Sequence, residues 1–504
     1  MRNTPALLWL MAVVLIGSVW VFSGCTPAEQ QDQQTDEVVP EPADTDEPAP
    51  TPDEQDEAAD IPADPEALDG AGQQDLSEDE AEAALGLQID LDREYGQSAF
   101  QPLRTVLHMG TEEQKEETRE ILKRLLVESR VFATRAQAAA VLSVSPEGSV
   151  DALTQAALND PEQVVRRQAI DALAKAPASP ELLSALAQAQ NAEDPEVRTS
   201  ALTAEMQVRL DSLTDMTDTA WMARLLGRTK DDASSQMQIM LVQRGETVLP
   251  AVVNVLETAD DADARAAAAT AITLICAGTS PKQQTFAAFS QAIMKEGLPE
   301  PQPANLAGLK PLEDALSGDS SWKVRAIAAQ GLGYLGQESS AEVLGRALGD
   351  ANEEVRWWAA LALETVPAVD ALDDLAHAAI NDPSRRVRAA AVRALGWMES
   401  DDAVRPLIRA TADRSSSVRQ AAAQELARYD APTSLQALVA LFDDRNEDVR
   451  WAAVVAAGEL RDEETVPALI EAMRDPSAMV ANAAERALQR MGRAERRFGL
   501  ESET

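Results

Sequence analysis

The chain has 504 residues, too many for one small core, and its apolar content leans on Ala and Leu, with aromatics at only 4%. A length of this order is met by several domains or by a repeated array, and the composition favours closely packed helices. The net charge of −41 argues against nucleic acid as a partner, because an acidic body repels phosphate backbones.

The first segment reads as an export signal. Arg2 supplies a positive start, an apolar run follows from Ala6 to Phe22, and small Ser23 and Gly24 precede Cys25. The run has 17 residues, at the short limit for crossing a bilayer, so an uncleaved anchor is the alternative reading. V-F-S-G-C resembles a bacterial lipobox, although Phe22 stands where Leu is usual. That resemblance implies cleavage before Cys25, lipid on its sulfur and nitrogen, and a chain held in the bacterial cell envelope. By similarity to enteric lipoproteins, Thr26 after the cysteine implies the outer membrane rather than the inner one.

An acidic, proline-rich stretch comes next. Residues 26–83 hold 21 Asp and Glu with no Lys or Arg, about half of the chain's excess charge. Such a segment cannot bury enough surface to offset its ordering entropy, so it is expected to be a disordered tether. About 50 residues of it reach at most ~160 Å.

The remainder repeats. D-S-S-W-K-V-R ends at Arg325, D-A-N-E-E-V-R at Arg356, D-P-S-R-R-V-R at Arg388, D-R-S-S-S-V-R at Arg419 and D-R-N-E-D-V-R at Arg450. A sixth copy, D-P-S-A-M-V-A, puts Ala481 in the arginine slot; the steps are 31, 32, 31, 31 and 31 residues. Arg135, Arg166 and Arg198 extend the series upstream, and Arg265 continues it after a copy without arginine. The period is disturbed between Arg265 and Arg325, where a Pro-rich stretch at 298–305 marks an insertion. Each unit predicts two amphipathic helices around an acidic turn, and a pair this short must stack on its neighbours to bury its apolar face. The fold class is therefore all-α, a right-handed α-α superhelix of about eleven helix pairs. The expected organisation is a signal peptide over 1–24, a lipid-anchored linker over 25–76, a helical lead-in over 77–96, the solenoid over 97–493 and a tail over 494–504.

The repeats resemble HEAT repeats, in particular the HEAT-like repeats named after phycobilisome lyases, over roughly residues 97–490. The resemblance implies a structural ladder between adjacent repeats made by turn Asp and helix Arg. Carried over, its rungs would pair Asp350 with Arg356, Asp382 with Arg388, Asp413 with Arg419, and Asp444 with Arg450. It also implies that the Val-Arg helices line a binding groove. Positions one and five residues after the arginine then gather Trp357, Leu361, Arg393 and Trp451 on the predicted partner surface; packing of the Trp rings over neighbouring helices is the alternative.

Catalytic signatures are absent from the sequence. The two histidines, His108 and His377, lie in unrelated repeats without a second ligand at metal spacing. Some HEAT-like relatives are di-iron hydroxylases using His-Glu pairs, and the chain has no His-Glu dipeptide. No phosphate loop or nucleophile elbow is present, and Cys276, in an apolar helical stretch, reads as a small buried hydrophobe. No metal, cofactor or small-molecule substrate is expected. The function that follows is a protein-binding scaffold with a protein or peptide partner, attached to a membrane through N-terminal lipid. A lyase-like or hydroxylase-like protein and a purely structural spacer are the alternatives.

Overall fold

The computed structural model describes residues 91–228, 233–278, 305–366, 369–398 and 400–492. The signal peptide, the lipidation site at Cys25, the acidic linker, most of the lead-in, most of the inserted segment and the C-terminal tail lie outside the described residues. The chain divides after Arg209 into two compact units.

The first unit contains α1 (Gln97–Met109), α2 (Glu112–Glu128), α3 (Phe132–Leu142), α4 (Val150–Asn159), α5 (Gln163–Leu173), α6 (Pro180–Ala189) and most of α7 (Pro195–Asp211). Its local signals are clear. Thr111 caps α2 by accepting from the Gln114 amide, and the Gln114 side chain returns the bond to the Thr111 N–H. Leu122, Leu142, Leu153, Ile170, Leu182 and Leu186 are fully buried between the layers. α3 packs on α5, and α4 on both α5 and α6.

The second unit contains α8 (Ala220–Leu226), α9 (Ala233–Arg244), α10 (Leu249–Thr258), α11 (Ala262–Cys276), α12 (Leu309–Gly318), α13 (Trp322–Leu335), α14 (Ala341–Ala347) and α15 (Glu353–Thr365). It continues with α16 (Leu372–Asn381), α17 (Arg385–Trp397), α18 (Val404–Ala410), α19 (Ser416–Leu426), α20 (Pro432–Ala440), α21 (Glu447–Leu460), α22 (Val466–Ala472) and α23 (Ala478–Arg490). Among the described residues there are no strands. The Val-Arg helices α11, α13, α15, α17, α19, α21 and α23 pack each against the next and form one layer. From α12 onward the alternate helices form the second layer, each against its own Val-Arg partner.

Alanine sets the spacing of the Val-Arg layer. Ala328, Ala359, Ala360, Ala390, Ala391, Ala422, Ala423, Ala453 and Ala484 are fully buried. At two joints the position eight residues after the ladder slot is a glycine that meets an alanine six after the next slot. A Cβ on Gly333 would lie 2.6 Å from the Ala362 Cβ, and one on Gly458 2.4 Å from the Ala487 Cβ. The turn chemistry follows the sequence: Asn352, Ser384 and Asn446 accept backbone N–H groups at the starts of α15, α17 and α21. Cys276 is buried at the end of α11, where burial pushes its thiol pKa up, and its Sγ fills the space a Cβ on Gly308 would need.

The arginine ladder and the candidate partner surface

The repeated Asp and Arg do form rungs, but the register differs from the expected one. Arg356 does not meet the carboxylate of Asp350; its Nε and Nη2 donate to Asp382, at 2.7 and 3.2 Å. Arg388 pairs with Asp413, Arg419 with Asp444, and Arg450 with Asp475. Asp350 is taken by Arg325. Each arginine thus reaches the carboxylate of the following repeat. It keeps a bond to its own repeat through the backbone, since Nη1 of Arg356 donates to the Asp350 carbonyl and Nη1 of Arg388 to the Asp382 carbonyl, both at 2.9 Å.

The reason is local. Each turn aspartate bends its carboxylate onto the N–H two residues on, as Asp382 does to Ser384 at 2.8 Å and Asp413 to Ser415 at 2.7 Å. That orientation points the carboxylate at the previous repeat and leaves the carbonyl for the arginine six residues later. Rungs also join Arg135 to Asp160 and Arg166 to Asp194 in the first unit. In the second unit Arg265 meets Asp319 across the insertion, 54 residues on.

Burial alone would raise Asp350, Asp413 and Asp444, but the arginine and backbone hydrogen bonds outweigh it and hold all three below the usual carboxylate range. The carboxylate hydrogen bonds raise Arg325, Arg356, Arg419 and Arg450 in turn. Donors and acceptors satisfied this fully make an architectural element rather than a reactive one.

The predicted partner stripe is only partly a surface. Trp357 and Leu361 are buried, at 7% and 2% exposure. The Trp357 ring lies edge-on to Trp358 at 4.8 Å and is covered by the Arg386 guanidinium, 4.4 Å from its centroid. Arg386 is held there by Glu354 at 2.7 Å. Trp451 is half-buried against the C-terminal core cluster that includes Leu469 and Val480. Arg393 is partly exposed and pairs with the buried carboxylate of Glu364 at 3.0 Å.

A more open stripe lies one helical turn on, with Gln424, Arg428 and Glu459 exposed and most of the rest half-buried. Positions five and nine after the arginine hold Gln330 and Tyr334, Leu361 and Thr365, Arg393 and Trp397, Gln424 and Arg428, and Val455 and Glu459; of these ten only Leu361 is buried. Trp397 and Arg428 stack across adjacent repeats, with the guanidinium carbon 3.8 Å from the ring centroid. Arg428 also donates to Glu425 at 2.7 Å. A Cβ on Gly396 would lie 2.1 Å from the Glu425 Oε2, so the glycine makes the room in which Glu425 is buried. Burial raises both acids; for Glu364 the pKa is pushed up to about 7, and the nearby charge of Glu425 adds to the rise. Among the described residues no group of three or more His, Cys, Asp or Glu is placed to hold a metal.

Stacked two-helix repeats joined by an Asp–Arg ladder define an α-solenoid. The chain belongs to the HEAT-repeat family: HEAT repeats match residues 150–233, 309–391, 372–456 and 440–497, more than half of its length. Among solved structures the chain is similar to an engineered protein at 18% identity, over 77% of this chain and 98% of that one, with a TM-score of 0.36. It is also similar to Kap121p bound to Nup53p, at 16% identity over 82% of this chain, with a TM-score of 0.41, and to Kap95p in a RanGDP complex, at 13% and 0.37. The chain spans about half the length of the Kap121p chain, 49%. No curated protein matches it in sequence.

Proposed function

We propose that this protein is a scaffold of the cell envelope that binds a protein or peptide partner along the partly exposed stripe of its Val-Arg helices. One observation carries the reading. The ladder positions are the same from repeat to repeat, whereas the stripe changes at every step. Nine residues after the arginine stand Tyr334, Thr365, Trp397, Arg428 and Glu459 in turn. A regular frame presenting an irregular row of aromatic, basic and acidic side chains suits an extended partner read side chain by side chain. Trp and Arg are the residue types that most often dominate such interfaces. Anchoring rests on the sequence of the first 25 residues, with lipid on Cys25 holding the body to the membrane and the acidic linker spacing it away.

A photo-crosslinking residue placed at Gln424, in cells, tests the binding reading. One discrete adduct is expected, lost in Trp397→Ala with Arg428→Ala and kept in Arg346→Ala on the second layer. A featureless smear, or an adduct indifferent to both changes, leaves only a spacer. Cys25→Ser is expected to release the protein from the membrane fraction; unchanged fractionation overturns the anchor.

A further inference from the structure

One stretch opposes the charge of the rest of the chain. Residues 383–428 carry nine Arg, no Lys and five Asp or Glu, a local net of +4 against −41 overall. Five of the nine have tasks already described: Arg388 and Arg419 in rungs, Arg393 and Arg428 on Glu364 and Glu425, and Arg386 on Glu354. The other four, Arg385, Arg405, Arg409 and Arg414, are exposed, and among the described residues none of them is bonded to a carboxylate.

These four belong to neighbouring parts of two successive repeats. Arg414 donates from Nη2 to the Pro383 carbonyl at 3.2 Å, which places its guanidinium at the turn that leads into Arg385. Arg405 and Arg409, four residues apart, share a face of α18, and α18 runs into the turn carrying Arg414. Acids border the group. Glu353 and Glu354 open the helix of the preceding repeat, Glu447 and Asp448 that of the following one, and Asp401 and Asp402 precede α18.

We infer that this arginine face is the docking site of the chain's own acidic segment, residues 26–83. Bare guanidinium groups favour carboxylates, which they bind in bidentate pairs. The segment supplies 21 carboxylates and no competing base. It is also long, since the 65 residues from Thr26 to Asp90 extend to roughly 200 Å. Being covalently attached, it acts at high effective concentration, so weak exposed pairs add up. The acids at the neighbouring helix starts repel it there, while exposed Arg445, which donates to the Arg414 carbonyl at 3.2 Å, continues the basic face into the next turn. Docking draws the anchor end of the chain onto the solenoid, and release extends it. This inference does not depend on the partner stripe.

The test compares the full chain with a variant lacking residues 28–83, by hydrogen exchange of the peptides covering 382–387 and 411–418 at low salt. Slower exchange in the full chain is expected, and the difference should vanish in 0.5 M salt, where the Debye length is only about 4 Å. A synthetic peptide of residues 26–83 should bind the deletion variant. Its affinity should fall about fourfold or more when Arg385, Arg405, Arg409 and Arg414 are all changed to Gln. Changing Arg346, Arg474 and Arg490 to Gln should leave it nearly unchanged. Equal loss in both sets reduces the effect to net charge and overturns the site, as does the absence of binding or of any exchange difference at low salt. Circular dichroism of each variant separates lost binding from lost fold.

Discussion

Arg388 donates from Nε and Nη2 to the two carboxylate oxygens of Asp413, at 2.8 and 3.0 Å, while its Nη1 holds the carbonyl of Asp382. One side chain therefore ties the turn that opens its own helix to the turn of the next repeat. At 2% exposure Arg388 is the most buried ladder arginine of the second unit.

Removing one partner of this pair strands a buried charge. Arg388→Met and Asp413→Leu are each expected to cost about 3–5 kcal/mol locally, while the two changes together cost far less than their sum. Urea titrations of the four proteins, with hydrogen exchange over 382–419, give the coupling. Additive losses would remove the rung from the account.

The outer pair behaves differently. Arg386→Ala breaks an exposed contact with Glu354 and should cost under about 1 kcal/mol. The same change uncovers Trp357, so its fluorescence should shift to the red with little change in melting temperature. An unshifted spectrum would mean that the guanidinium does not shield the ring.

The two classes of acid titrate in opposite senses. Glu364 keeps its proton in the folded chain up to about pH 7 but loses it near the ordinary glutamate value of 4.5 when unfolded. Its contribution is therefore full below pH 4.5 and is lost as pH rises to 7, about 3 kcal/mol in all. Asp413 and Asp444, held below their ordinary 3.8, stabilise above that pH and lose their effect as pH falls through their folded values. A stability maximum between the two limbs is expected. Glu364→Gln should flatten the alkaline limb and leave the acid limb in place, as read from urea midpoints between pH 3 and 8.

Two glycines should respond oppositely to alanine. Gly396→Ala puts a methyl against Glu425 and should cost about 1–3 kcal/mol, with loss of the Trp397–Arg428 stack. Gly318→Ala, with nothing within 4 Å of the new Cβ, should be neutral or stabilise by up to about 1 kcal/mol. Thermal melts of the two variants measure the contrast.

The helix pairs were legible because the stacking of short units forces a strict period, and steps of 31 or 32 between arginines declare it. The rung register was not, since six residues separate Asp350 from Arg356 along the chain and nothing in that spacing shows which way the carboxylate turns. Trp357 misled for a related reason. Its slot holds Ala326 and Ala389 in flanking repeats, a mark of close packing, whereas the varied series from Tyr334 to Glu459 marked the more open turn. Glu364 and Glu425 gave no signal at all. Both lie at ordinary helical positions, and only the approach of the neighbouring helix, allowed at Gly396, buries the second of them.

The pairing of Arg265 with Asp319 across the insertion has a consequence for how such a chain can change. From Arg325 to Arg450 each repeat offers an arginine forward and an aspartate backward, so any two of these repeats present matching ends. Excising one whole period, residues 383–413 for example, would leave Arg356 on Asp382 and place Arg419 six residues after that aspartate, with Asp444 still its partner, because a complete Asp-to-Asp period removes one Asp and one Arg together. Material can likewise be spliced in behind a Val-Arg helix without rewriting the joint. The array is a grammar with one conjunction, and its length is free to vary wherever that conjunction is preserved.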